Sequence, residues 1–369
     1  MKRIFNFLFK KFLALKRRFY ILIYGDFNPY PKNIENFSYN PSEFINHAAE
    51  NRKLQLDINN INNNDLNRWK IIAENKFKEL LRIKDNLYLK VKSEKKIPIN
   101  GNYSRKRIIV EFSNFRHAPI DIITKKDNSD FKGIILCLQG TNSGAHLNLG
   151  EVRMPDDVSK VQNGSALALQ AVDEGYLAVS FERIGFGERR EQKLKTRNDS
   201  PTLDISFHSI SLGNTLLGET VKEIILINKW LKNKYKKKLW LTGYSAAGTT
   251  IIAAAAIDKN VDGIAVGGCV GQSSRTIIKR GSSGFNDIPN MLEWFEFDAQ
   301  IGLISPRPCI IIAGTKDHIW PYKEALITVN NSMKVYTNEN SKDNLKLIKA
   351  DGGHTYYPDL MWPAISKFF

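Results

Sequence analysis

Apolar positions along this chain follow two different periods, and the change from one to the other divides it. Phe5, Leu8, Phe12, Leu15, Phe19 and Leu22 are spaced by three or four residues, which places them on one stripe of a helix. Trp69, Ile72, Phe77, Leu80 and Leu81 keep a near-helical spacing and predict a second helix over 66–83. The stretch 26–65 is rich in Asn and Pro and reads as an irregular connector, with a short helix over 42–52. A polar join containing Gly and Pro follows at 90–103.

From Lys106 onward the pattern changes. Segments 107–112 and 118–124 predict two strands with a short connection, paired antiparallel. Apolar, β-branched runs at 133–138, 176–181, 239–242, 263–268, 309–313 and 345–349 then alternate with helical stretches. Continuous apolar strands alternating with helices indicate a parallel sheet covered on both faces. The clearest crossover helix is 214–232, with Leu217, Val221, Ile224, Ile225 and Trp230 turned inward. The expected division is therefore a helix over 1–25, an extension over 26–104 and an α/β domain over 105–369. No internal repeat and no metal-ligand spacing interrupts it.

Composition is that of a globular protein, 42% hydrophobic and 25% charged. The charge is the unusual part, at +16 net. Residues 1–25 hold Lys2, Arg3, Lys10, Lys11, Lys16, Arg17 and Arg18 and no acid. Arg3, Lys10 and Arg17 share a helix face away from the aromatics, so this is a basic amphipathic helix suited to an anionic membrane surface. The paired basic residues break every long apolar run, which excludes a spanning helix and a cleavable signal peptide. The alternative is a helix packed on the catalytic domain or on another subunit. Nucleic acid is not an expected partner, because no recognised module accompanies the charge. Cys137, Cys269 and Cys309 lie in or beside apolar runs and read as buried free thiols, which fits a reducing compartment. The expected location is cytoplasmic, with contact at the inner face of the membrane.

One short stretch carries the chemistry. Gly243-Tyr244-Ser245-Ala246-Ala247-Gly248 joins an apolar strand to a run of small residues. A sharp strand-to-helix turn flanked by small residues is how a nucleophilic serine is exposed; otherwise Ser245 is only a helix cap. Asp317 follows the strand 309–313 and His354 follows the strand 345–349, both on loops at strand ends. Each alone has an ordinary reading, as a cap or a surface side chain. Together they supply a nucleophile, an orienting acid and a base, in the chain order Ser, Asp, His. His318, His117, His146, His208 and His47 are less well placed. The backbone N–H of Ala246 and that of Thr141, in the loop Gln139-Gly140-Thr141, are the expected oxyanion donors. Segment 272–297, with Trp294, Phe295 and Phe297, is a candidate pocket wall whose aromatics read more readily as core.

These landmarks resemble the α/β-hydrolase superfamily, within it the acetyl xylan esterase and dienelactone hydrolase-like branch. The resemblance runs from about Lys106 to the C-terminus. It includes Leu138-Gln139-Gly140, Glu174-Gly175-Tyr176, Gly185-Phe186-Gly187-Glu188-Arg189, Ser305-Pro306-Arg307-Pro308 and Gly352-Gly353-His354. It implies a doubly wound, mostly parallel sheet of about eight strands. It also implies Ser245 as nucleophile, Asp317 as acid, His354 as base, and Thr141 and Ala246 as oxyanion donors. Ala247 stands where Gly is usual, Gln139 where His often stands, and Glu182 where Asp is common. Members mostly cleave small acyl esters, often acetyl groups on carbohydrates, with no metal or organic cofactor. The expected activity is hydrolysis of a small acyl ester through an acyl-enzyme. The alternatives are a peptidase or acyltransferase with the same triad, or a membrane-associated scaffold without turnover.

Overall fold

Nine strands form one sheet in the computed structural model, which describes residues 2–24, 33–34, 37–84, 86–126, 130–194, 200, 202–281 and 284–369. The chain divides into two compact units, Met1–Ala48 and Ala49–Phe369. The first holds helix α1 (Lys2–Tyr24), an antiparallel pair of two-residue strands, Asn33–Ile34 with Phe37–Ser38, and the start of helix α2 (Pro41–Glu50). Along α1 the side chains of Phe5, Leu8, Phe12, Leu15, Phe19 and Leu22 are exposed. Most of the expected connector between α1 and α2 lies outside the described residues.

In the second unit, helix α3 (Leu66–Leu80) buries Leu66, Trp69, Ala73, Phe77 and Leu80, a stripe at helical spacing. The Trp69 indole N–H donates to Leu56 O at 2.9 Å, and Phe77 meets Phe295 edge to face at 5.8 Å. The strands follow as β1 (Lys90–Ile97), β2 (Tyr103–Ser113), β3 (Arg116–Lys125), β4 (Ile134–Leu138), β5 (Leu177–Phe181), β6 (Leu239–Tyr244), β7 (Gly263–Gly267), β8 (Cys309–Gly314) and β9 (Leu345–Ala350). Their order across the sheet is β9-β8-β7-β6-β4-β5-β3-β2-β1. β9 to β5 run parallel, and β3, β2 and β1 add antiparallel pairs at the other end.

The sheet has one strand more than expected, and the addition is β1. The join read at 90–103 contains this strand, which pairs antiparallel with β2. β1 sits at the sheet edge with nearly every side chain in contact with solvent, so it has no apolar face and no period-2 signal. Its lysines and glutamate suit an edge that must not pair with another chain.

Strands β4 to β8 are buried throughout. Alternate side chains feed two cores: Ile134, Leu136, Leu239 and Leu241 on one face, Ile135, Cys137 and Trp240 on the other. Helices α4 (Asp157–Gln162), α5 (Leu167–Asp173) and α6 (Leu203–Ser211) lie between β4 and β6 in the chain; helix α7 (Leu216–Tyr235) and helix α8 (Ala246–Ile257) cover the first face, joined there by α3. Alternation at period 2 between two apolar layers is why these strands read as unbroken apolar runs. The three cysteines are free and buried, as expected.

Candidate active site

The site forms where three strand ends meet their loops. Ser245 follows β6 directly and opens α8, with φ 57° and ψ −127°. That backbone conformation is one a side-chain-bearing residue rarely adopts. Close packing around the turn explains the small residues. A Cβ on Gly243 would lie 2.7 Å from the Ala247 Cβ and 2.9 Å from Leu138 O. A Cβ on Gly248 would lie 2.3 Å from Cys269 Sγ. Glycine is therefore required at Gly243 and Gly248, whereas Ala247 fits because its methyl faces the glycine at Gly243.

Asp317 and His354 reach this turn from β8 and β9. His354 Nε2 lies 3.1 Å from Ser245 Oγ, and His354 Nδ1 lies 2.8 Å from Asp317 Oδ2. The second Asp317 oxygen accepts from the N–H groups of Ile319 at 2.8 Å and Trp320 at 2.9 Å. Burial alone would raise the Asp317 pKa, but hydrogen bonds from His354, Trp320 and Ile319 hold it below its ordinary value. The His354 loop passes close over the end of β8. A Cβ on Gly314 would lie 2.5 Å from Gly352 O and 2.6 Å from Gly353 O.

Thr141 lines the same cavity as Ser245 and His354, and Ala246 is the first residue of α8. Among the described residues neither backbone N–H has an acceptor. The five expected site residues thus lie together. Of the other histidines, His146 is held by Asp157 at 2.8 Å and His117 by Glu111 at 3.1 Å, and none lines the cavity. None of the described residues of segment 272–297 lines the cavity, and Phe295 and Phe297 are core. The cavity, of about 270 Å³, is walled by Asn142, Ser159, Lys160, Asn163, Thr355 and Tyr356 beside the site residues. Among the described residues no cluster of His, Cys, Asp and Glu could hold a metal ion.

Two buried charges shape the loop bearing Thr141: Arg183, which the sequence reading does not mark, and Glu182, which it marks only as standing where Asp is common. Arg183, 1% exposed, donates to Gln139 O at 2.7 Å, Gly140 O at 3.0 Å, Thr250 Oγ1 at 3.3 Å and Ala246 O at 3.4 Å. In a trans peptide the C=O and N–H point opposite ways. Holding Gly140 O therefore turns the Thr141 N–H away from Arg183 and toward the cavity. Among the described residues Arg183 makes no ion pair; Phe186 and Phe285 rings lie 4.3 Å and 4.8 Å from its guanidinium carbon. Burial pushes its pKa down to about 9. The sequence signal was a pair of charges, Glu182-Arg183, immediately after an apolar strand.

Glu182 is the other charge. Its carboxylate accepts from the Ala145 N–H at 3.0 Å and the Glu188 N–H at 3.3 Å, clamping the Thr141 loop to the turn at Gly187. Gln139 completes the support. Its amide donates to Asn148 Oδ1 at 2.6 Å and Ser165 O at 2.8 Å, and its oxygen accepts from Tyr356 OH at 2.6 Å and Asn142 Nδ2 at 2.9 Å. A histidine there could not make all four bonds.

No protein-family model matches the chain, and no curated protein matches it. Among solved structures, a protein assigned as an acetyl xylan esterase from Bacteroides fragilis superposes with a TM-score of 0.71 at 15% identity, over 92% of this chain and 98% of that one. A glucuronoyl esterase from Solibacter usitatus gives 0.57 at 14% identity, over 81% and 92%. Acetyl Xylan Esterase 1 from a Thermoanaerobacterium species gives 0.50 at 12% identity, over 89% and 98%. These neighbours are α/β-hydrolase superfamily proteins, and at such identities the likeness speaks for fold. The chain has the α/β-hydrolase fold.

Glu182 makes stability depend on pH. Burial pushes its carboxyl from 4.5 up to about 7, against the two N–H groups that favour the charged form. The folded protein then keeps a proton that the unfolded chain releases. The stabilisation present below the unfolded value is lost as pH rises through about 7. Asp298, pushed up to about 6 by burial, acts in the same direction. Urea midpoints measured from pH 4.5 to 8 should fall with pH, and Glu182→Gln should flatten that fall by on the order of 1–3 kcal/mol. Identical slopes in both proteins would rule out Glu182 as the source.

Proposed function

We propose that this chain is a serine ester hydrolase that cleaves a small acyl ester, acetyl on a carbohydrate being the leading class. The observation that carries the reading is the contact of His354 with both Ser245 Oγ and Asp317 at a strained strand-to-helix turn. In this reading residues 105–369 are the catalytic domain. The cavity supports a small, polar substrate, since its volume and its Asn, Ser and Thr lining leave no trough for a long acyl chain. The printed names of the structural neighbours, acetyl xylan and glucuronoyl esterases, support a carbohydrate ester in particular.

His354 Nε2 takes the Ser245 proton as Oγ attacks the acyl carbon, and Asp317 stabilises the imidazolium that forms. The negative oxygen of the tetrahedral intermediate is received by the N–H groups of Thr141 and Ala246. The alcohol leaves with the proton from His354, giving an acyl-enzyme on Ser245. Water, deprotonated by His354, then releases the acid and restores the serine. Arg183 acts through the Gly140 carbonyl, so it is a positioning residue for the Thr141 N–H.

A fluorophosphonate probe should label the wild type and not Ser245→Ala, and the same substitution should lower turnover of acetyl esters by at least about 10⁴-fold. A folded wild type that neither labels nor turns over would favour the non-catalytic scaffold instead.

Arg183→Met should lower kcat by on the order of 10²-fold with a much smaller change in KM, because the Thr141 N–H that it aims acts mainly in the transition state. Equal losses in binding and turnover would assign Arg183 to folding alone.

We also infer that α1 lies on an anionic membrane surface. Its exposed aromatic and aliphatic stripe and its lack of acidic residues support this, and among the described residues no helix is long and apolar enough to cross a membrane. Co-sedimentation with anionic but not zwitterionic vesicles is expected, and deleting residues 1–25 should abolish it. Unchanged binding after the deletion would place the contact elsewhere.

A further inference from the structure

A lysine lines the cavity above Ser245, and among the described residues no acid is paired with it. Lys160 is on helix α4 (Asp157–Gln162), and Ser159, Lys160 and Asn163 from that helix and its end line the cavity. The orientation of α4 is fixed from below. Asp157 is wholly buried and accepts from Ser143 Oγ, from the N–H groups of Arg153 at 3.0 Å and Met154 at 2.9 Å, and contacts His146 Nε2 at 2.8 Å. The acid of the helix is thereby spent inward on the loop that carries Thr141, and the lysine is left at the cavity wall. Among the described residues Lys160 makes no ion pair, although it is half-buried. No Asp or Glu lines the cavity.

A half-buried lysine lining a small cavity without a carboxylate is matched by an anion on the ligand. Charge points the same way, since residues 26–369 carry nine of the sixteen net positive charges, which attract an acidic substrate from a distance. Resting on the esterase reading above, we propose that the substrate is an ester bearing a carboxylate close to the scissile bond, and that Lys160 is the specificity-determining residue that receives it. The carboxylate can sit on the alcohol, as in an acetylated uronic acid, or on the acyl group, as in a monosuccinyl ester. The same ammonium chemistry serves both.

The test is the ratio of kcat/KM for charged over neutral esters, in two matched pairs: an acetylated methyl uronide against the acetylated neutral methyl glycoside, and a monosuccinyl against an acetyl ester of one alcohol. At least one pair should give a wild-type ratio of about 10, falling with added salt. Lys160→Gln should bring that ratio to about 1, Lys160→Glu should bring it lower still, and Lys160→Arg should keep it. The pair with the raised ratio identifies the side that carries the charge. Wild-type ratios near 1 in both pairs, or a raised ratio that survives Lys160→Gln, would overturn the proposal. Fluorophosphonate labelling of every variant reads the Ser245 site separately. Labelling with no charge preference defeats only the role of Lys160, whereas absence of wild-type labelling defeats the esterase reading itself.

Discussion

The turn at Ser245 is the constraint on which the rest of the site depends. A non-glycine residue at φ 57° costs about 1–3 kcal/mol and persists only where the surroundings leave no alternative. Here those surroundings are the sheet. Gly243 pairs with Leu138 on one side and Val266 on the other, and the Ser245 N–H donates to Gly267 O at 2.8 Å. β6 thus cannot relax without breaking pairing with β4 and β7. The strain holds Ser245 Oγ out at the sheet's carboxyl edge, where an imidazole from β9 can meet it.

Beneath that edge the polar groups form a continuous support. Arg183 holds the carbonyls of Gln139, Gly140 and Ala246, Gln139 ties the same loop to Asn148 and Tyr356, and Glu182 ties it to the turn after β5. Each of these groups is buried, so each bond is stronger than it would be in water and each missing partner would be costly. This explains how a glycine-containing loop, by composition a mobile one, keeps the Thr141 N–H aimed at the cavity. The same layer reaches α4 through Ser143, His146 and Asp157, so the position of Lys160 is coupled to the loop that would bind the oxyanion.

Electrostatics divides the molecule. Arg105 and Arg107 share Asp121, and Arg116 and Arg189 share Glu223, so the buried arginines on the antiparallel side of the sheet are neutralised where they stand. Arg183, like Arg307, is instead satisfied by backbone carbonyls, with aromatic faces beside it, and it sits under Ser245. Lys160 remains for whatever enters from solvent. The basic excess of α1 is a separate matter of location rather than of chemistry.

The order of apolar runs and small residues determined much of this protein. Strands β4 to β8 are legible because burial on both faces demands unbroken apolar sequence. Ser245, Asp317 and His354 are legible because they follow such strands in a fixed order, and Gly243 and Gly248 because only a crowded turn asks for them. Tertiary structure decided the rest. β1 could not be read, since an edge strand with two wet faces leaves no period. Arg183 and Glu182 could not be ranked above other charges, because burial is a property of the packed sheet and not of a residue's neighbours in sequence. The distance from His354 to Ser245 depends on β7 and β8 filling the space between β6 and β9, and no local pattern encodes that. The place of Lys160 is likewise a fact of three dimensions: it lines the cavity, with no acid paired to it among the described residues, only because α4 buries Asp157 on its other side.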